Sequence, residues 1–195
     1  MQLNQLKAIL EALFSASDQP LSVNQLFDLF NGDLEQPGKD EIRKAILELT
    51  ESYQDRGMQL QQVASGFRLQ VKPEYQQWVA RLWDQRPPRY SRAMLETLAL
   101  IAYRQPITRG EIEDIRGVSV SSNIIKTLQE REWVKTLGHK DVPGKPALFG
   151  TTKAFLDYFN LKSLNDLPTL AEIRDLDQYH PELALSDIKE SSLPT

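Results

Sequence analysis

Apolar residues recur along the start of the chain at three- and four-residue steps. Leu3, Leu6, Leu10 and Leu13, with Ile9 beside them, place one apolar stripe on a helix over residues 3 to 16. Asp18-Gln19-Pro20 stops that helix, because proline removes a donor and restricts the residue before it. Ser22 followed by Gln25 has capping-box spacing, which predicts a short helix from Val23 to Phe30. Asn31-Gly32 and Pro37-Gly38 are loop chemistry, and Ile42, Ala45, Ile46 and Leu49 share one face of a third helix from about Asp40 to Gln54. The period then falls to two. Met58-Gln59-Leu60 and Phe67-Arg68-Leu69-Gln70-Val71 alternate around Ala64-Ser65-Gly66, the pattern of a hairpin with one buried face. Tyr75, Trp78, Val79 and Leu82 predict a closing helix over Glu74 to Asp84, with Trp83 off its stripe. Three helices followed by a hairpin make a winged helix.

Arg86-Pro87-Pro88-Arg89 breaks any helix and marks a short, stiff linker. Beyond it the order repeats. Arg92 to Arg104 is a first helix; Thr108 and Glu111 form a second capping box, opening a helix over Glu111 to Ile115 that Gly117 ends. A third helix over 119 to 131 carries Ile124, Ile125 and Leu128. A wing runs out through Trp133-Val134-Lys135-Thr136-Leu137 and back through Ala147-Leu148-Phe149, and a closing helix spans Thr152 to Asn160. Subtracting 86 lays Gln105-Pro106-Ile107-Thr108 on Gln19-Pro20-Leu21-Ser22, Leu95 on Ile9, Leu98 on Ala12, Ala102 on Ala16, Ile112 on Leu26 and Ile115 on Leu29. The predicted fold class is mostly α with small β-hairpins (α+β): two tandem winged-helix domains, 1–85 and 91–168, joined by a linker at 86–90. A flexible acidic tail, 169–195, follows.

Charge is unevenly spread over these segments. Residues 1 to 84 carry 8 Lys and Arg against 12 Asp and Glu, residues 85 to 166 carry 13 against 9, and the last 29 carry 2 against 6. A mildly basic second half falls short of the concentrated basic stripe of an autonomous nucleic-acid binder. No apolar run approaches the roughly 18 residues of a membrane span, and Met1-Gln2-Leu3-Asn4 lacks the layout of a signal peptide, so a cytoplasmic location is expected. With no cysteine there is no disulfide framework or thiolate metal site.

Catalytic chemistry finds no footing. The chain has two histidines, no glycine-rich phosphate loop and no G-x-S-x-G elbow. His139 falls at a wing tip and His180 in the acidic tail, while Asp175 and Asp177 lack further oxygen donors for a hard cation. The expectation is a protein without catalytic residues, cofactor, metal or small-molecule substrate. DNA binding is the second reading of a winged helix, whose third helix would face base edges. In the first domain that helix opens with Lys39-Asp40-Glu41, where carboxylates repel phosphates; in the second it opens with Ser119, Ser121, Ser122 and Asn123. Arg109, Arg116, Lys126, Lys140 and Lys145 are the candidate nucleic-acid contacts, enough for at most weak and indirect binding. A winged-helix transcription regulator is therefore kept as the alternative. The third reading is a protein-interaction module. Its candidate partner-binding residues are Leu3, Leu6, Leu10, Phe14, Trp78, Tyr103, Arg104, Arg109, Phe155 and Tyr158.

Three stretches carry a resemblance: LETLALIAYRQPITRGEIEDIRGV (Leu95 to Val118), GHKDVPGKPALFGTT (Gly138 to Thr152) and FLDYFNLKSLNDLP (Phe155 to Pro168). They closely resemble the segregation and condensation protein B family of bacteria, and length and element order agree through about residue 168. Asn160 stands where that family usually has glycine, and asparagine also tolerates a left-handed cap. The resemblance implies two winged-helix domains and a homodimer formed chiefly through the N-terminal one. It also implies binding to the kleisin, segregation and condensation protein A, and through the kleisin to a structural maintenance of chromosomes (SMC) ATPase. The protein would then be a non-catalytic, nucleoid-associated accessory subunit in chromosome condensation and segregation.

Overall fold

The spacing of Ser22 and Gln25 sets the first turn of the structure. The Ser22 hydroxyl accepts from the Gln25 N–H at 3.2 Å, and Gln25 Oε1 accepts from the Ser22 N–H at 2.9 Å. In this computed structural model residues 1–82 and 90–169 are described. Trp83, Arg86-Pro87-Pro88-Arg89, and the tail with Asp175, Asp177 and His180 lie outside the described residues. Met1–Leu164 packs as one compact unit, and Asn165 begins a second, described only through residue 169.

Helices α1 (Leu3–Ala16), α2 (Val23–Leu29) and α3 (Lys39–Ser52) precede an antiparallel hairpin of β1 (Met58–Val63) and β2 (Gly66–Val71). One core joins them: Leu6, Leu10 and Phe14 from α1, Leu26 and Phe30, Ile42, Ile46 and Leu49 from α3, and Leu60 from the wing. Gly66 lets β2 pass close to the start of α2, where Leu21 bridges Phe67. At φ +148° it brings the wing so near that a Cβ there would lie 2.3 Å from the Leu21 carbonyl oxygen. The predicted helix over Glu74 to Asp84 breaks into a 3₁₀ turn (Pro73–Tyr75), α4 (Gln76–Val79) and a second 3₁₀ turn (Ala80–Leu82). Tyr75, Trp78 and Leu82 are all exposed there. With no core behind the stripe, packing cannot enforce a regular helix.

The second winged helix contains α5 (Arg92–Arg104), β3 (Ile107–Thr108), α6 (Arg109–Arg116), α7 (Ser122–Glu130), β4 (Val134–His139), β5 (Ala147–Thr151) and α8 (Lys153–Tyr158). Its sheet has the order β3-β5-β4, with Ile107 opposite Phe149 and Val134 opposite Thr151. The third helix starts at Ser122 rather than 119. Val120 is fully buried and its N–H donates to Glu113 Oε1 at 2.8 Å, which holds the chain out of helix until Ser121 caps it. Gly117 ends α6 in the left-handed region, and Asn160 takes that region after α8 at φ 58°. No helix among the described residues is long and apolar enough to cross a membrane.

The repeat is real but its register shifts. Leu21 and Ile107 both bridge to the wing, and Leu26 and Ile112 are both fully buried, 86 positions apart. In the first helices the buried positions are instead 88 apart, Leu6, Leu10 and Phe14 answering to Met94, Leu98 and Ala102. The pairings of Leu98 with Ala12 and Ala102 with Ala16 are corrected accordingly, because Ala12 and Ala16 face outward. The physical reason is a turn shorter by two residues between α5 and α6 than between α1 and α2.

Candidate interaction surfaces

Four of the five candidate cations on the second domain have a carboxylate partner. The Thr108 hydroxyl caps α6, accepting from the Glu111 N–H at 3.3 Å, while Glu111 Oε2 accepts from the Thr108 N–H and hydroxyl at 2.8 Å each. The other oxygen of Glu111 takes Lys140 Nζ, from the wing tip, at 2.6 Å. The lysine and both Thr108 donors together hold that carboxyl at about 2, well below its ordinary 4.5. Arg109 donates to Glu113 Oε1 at 3.0 Å and to the Ser122 hydroxyl at 2.9 Å. The Val120 N–H and then Arg109 lower the Glu113 pKa. Lys126 lies 3.6 Å from Glu130. Arg116 corrects the reading of that set most plainly. Its side chain is 11% exposed, donating to Glu96 Oε2 at 2.9 Å and Thr97 Oγ1 at 3.4 Å, so it belongs to the α5–α6 contact. Arg92 and then Arg116 lower the Glu96 pKa. Lys145 is exposed on the wing loop at φ 38°.

Four of the five cations thus face a carboxylate, which weakens the field a phosphate would meet. The first domain is built the same way at its third helix. Glu41 is a cap, accepting from the Gly38 N–H at 2.7 Å, and Asp40 pairs with Arg43 at 2.6 Å. Lys39 donates to Asn24 at 2.8 Å and stands 5.1 Å over the Phe27 ring. His139 is exposed at the end of β4. Among the described residues no group of three His, Cys, Asp or Glu side chains is placed to hold a metal, and every buried side-chain polar atom has a partner.

The apolar candidates divide sharply. Leu6, Leu10, Phe14 and Phe155 are corrections: each is at most 4% exposed, committed to its own domain's core. Leu3 is half-buried against the first core. Trp78 is 52% exposed, its ring 6.1 Å from Tyr75. Tyr158 lies in an aromatic cluster, 4.5 Å from Trp133 and 5.1 Å from Phe159, and its hydroxyl meets that of Tyr90 at 2.9 Å. That hydrogen bond, with burial behind it, raises the Tyr158 pKa. Arg131 stacks 4.8 Å over Tyr90, so the cluster clasps the entry of the second domain to its closing helix.

Tyr103 and Arg104 are exposed on α5, and the structure adds neighbours that the periodicity left out. Leu95, Ala99 and Tyr103 stand one turn apart along the outer face of α5, and Ile115 and Val118 are exposed at the end of α6. Two shallow concavities follow this α5–α6 face. One, of about 380 Å³, lies among Glu96, Ala99, Leu100, Arg116 and Val118; the other, of about 300 Å³, lies among Arg104, Pro106, Ile107, Glu111, Asp114 and Ile115. A sequence signal for this face exists. The run from Ala93 to Tyr103 holds more apolar residues than one helical stripe needs.

Residues 8–170 match the family model of the segregation and condensation complex subunit ScpB. This chain belongs to the ScpB family. A segregation and condensation protein B homolog from Coxiella burnetii is 55% identical over 184 residues, which cover 92% of this chain and 87% of that protein. The segregation and condensation protein B of Syntrophotalea carbinolica is 44% identical, with 88% of this chain and 85% of the relative covered. Among solved structures, a dimer of the ScpB N-terminal domain complexed with ScpA peptide is 30% identical, covering 42% of this chain and 98% of that one, at a TM-score of 0.37. ScpB proteins are subunits of a segregation and condensation complex, and this chain is one of them by family.

Proposed function

We propose that this chain acts as a homodimeric ScpB that binds the kleisin ScpA, and through it an SMC ATPase, at the nucleoid in the cytoplasm. Residues 1–85 form the dimerising winged helix in this reading, with Leu3 and Trp78 at its accessible edges. Residues 91–168 form the second winged helix, and its α5–α6 face is a further kleisin surface beside the N-terminal domain, the part that is complexed with ScpA peptide in the solved relative. The observation that carries the reading is that face. Leu95, Ala99, Tyr103, Ile115 and Val118 are exposed apolar residues of α5 and the end of α6, on a domain where four of the five candidate phosphate-facing cations meet a carboxylate. Exposed apolar residues in and beside two shallow hollows suit an amphipathic protein segment, whereas a duplex requires several unpaired cations on one surface.

Size-exclusion chromatography with light scattering, on the full chain alone and with the kleisin's central fragment, tests this directly. A dimer mass alone and a larger, defined complex with the fragment are expected. A monomer that leaves the fragment unbound overturns the proposal. Ile115→Ser is expected to weaken the complex about tenfold, as loss of a buried apolar anchor does.

A further inference from the structure

The tip of the first wing does not end in water. Ala64 and Ser65 make its two-residue turn, and both their amides are bound by the second domain: the Ala64 N–H donates to the Leu161 carbonyl at 2.9 Å, the Ser65 N–H to Asp157 Oδ1 at 2.9 Å. Arg68, on the returning strand, sends one guanidinium nitrogen to the Asp157 carbonyl at 2.9 Å and to Asn160 Oδ1 at 2.7 Å, while its Nε is steadied by Gln70 at 3.1 Å. The acceptors come from the end of α8. The Asp157 carbonyl, in the last turn of α8, also accepts the Asn160 N–H at 3.3 Å. Asn160, at φ 58°, turns the chain out of the helix.

We propose that this contact is a latch that holds the two winged-helix domains in one relative orientation in solution. Four hydrogen bonds from three residues of one short hairpin converge on a five-residue stretch of the other domain. The latch also shapes a surface. Lys162, two residues beyond Asn160, lines a groove of about 400 Å³ whose remaining walls, including Arg43, Ile46, Leu47 and Phe67, belong to the first domain. Opening the latch takes Lys162 away from that groove, so the two states offer a partner different surfaces. The acceptors of Arg68 are a backbone carbonyl and a side-chain amide, both uncharged. The one carboxylate in the latch, Asp157, accepts from the uncharged Ser65 N–H, so no ion pair closes it and salt that screens ion pairs leaves it shut.

The chain has no cysteine, so a pair introduced at exposed Ala12 and Ser119 can be spin-labelled cleanly. Electron–electron distances are measured in the full chain, diluted with unlabelled chain so that each assembly carries one labelled copy. The unmodified latch should give one narrow distance distribution, unchanged in about 1 M salt. Arg68→Ala should lose the narrow peak and spread the distribution. Asn160→Gly should broaden it less, because glycine keeps the left-handed backbone and removes only one acceptor. Cooperative melting checks that both variants fold, and if Arg68→Ala does not, Asn160→Gly decides. A distribution already broad with the latch intact overturns the proposal. So does a peak as narrow in the folded variant as without it, or one that salt disperses. None of these outcomes depends on kleisin binding.

Discussion

The two winged helices share a plan and differ in how each closes its wing. In the first domain the hairpin turns at Ala64-Ser65, one residue before Gly66, and an isolated bridge, Leu21 to Phe67, pairs it with the chain just before α2. In the second, Ile107 and Thr108 pair with Phe149 and Leu148 as a third strand, and β5 extends back to Ala147. Where the first domain needs glycine for a close backbone approach, the second uses leucine in an ordinary strand. Gln105 sharpens the contrast. Its side-chain oxygen accepts from the Thr151 N–H at 2.7 Å and its nitrogen donates to the Ala102 carbonyl at 3.1 Å, tying the end of α5 to the last strand. Gln19, in the matching dipeptide, takes part in the Ser17 turn through its backbone. The same Gln-Pro sequence is therefore a structural tie in one copy and a turn in the other. The second domain is secured by internal polar contacts, and Leu95 and Ala99 stay exposed on the outer side of α5.

Gly66→Ala should have the largest effect. The new Cβ meets backbone, so the first domain should lose roughly 3 kcal/mol in denaturant unfolding of the full chain. Next, Gln105→Ala should cost about 2 kcal/mol, since it leaves the Thr151 amide without its acceptor, while Gln19→Ala should stay within about 0.5 kcal/mol. Equal effects of the two would refute the difference drawn between the copies. Ser22→Ala and Thr108→Ala should each cost about 1 kcal/mol, the usual value of an N-cap, read as a fall in melting temperature. The smallest effect is acid sensitivity. Glu111 titrates near 2 in the folded chain and near 4.5 when unfolded, so its contribution is complete above 4.5 and is lost as pH falls from there through 2. Gln25, its counterpart, does not titrate. Amide spectra of the full chain between pH 5 and 2 should show the start of α6 loosening before the start of α2.

Much of this architecture was legible in the sequence because its causes are local. Both capping boxes follow from three-residue spacings, Gly117 from its place after the last apolar turn, and the hairpin of β1 and β2 from strict alternation. What stayed hidden depends on distant partners. Ile107 and Thr108 are too few to show a period, and Gln105 acts on Thr151, 46 residues on. The two-residue change in turn length moved the register of α1 against α5 without altering either stripe. The candidate site was less legible for a related reason. Periodicity shows that Leu6, Leu10 and Phe14 share a face with Leu3, but only packing shows that the first three are enclosed by α3. On α5 the repeat laid Leu95 on Ile9 as a matching apolar position, whereas packing encloses Met94, Leu98 and Ile101 and leaves Leu95 and Ala99 outside. Charge counting likewise credited Arg116 and Lys140 to a phosphate face, because the carboxylates that bind them lie 20 and 29 residues away.

Parallel titrations of the purified full chain, one with a labelled kleisin central fragment and one with labelled duplex DNA, both near physiological salt, separate protein from nucleic acid as the partner of the second domain. A protein-facing second domain predicts saturable binding of the fragment, weakened by Ile115→Ser, and a flat response to the duplex. Saturable, sequence-preferring duplex binding with a steep salt dependence, beside an unbound kleisin fragment, would contradict it.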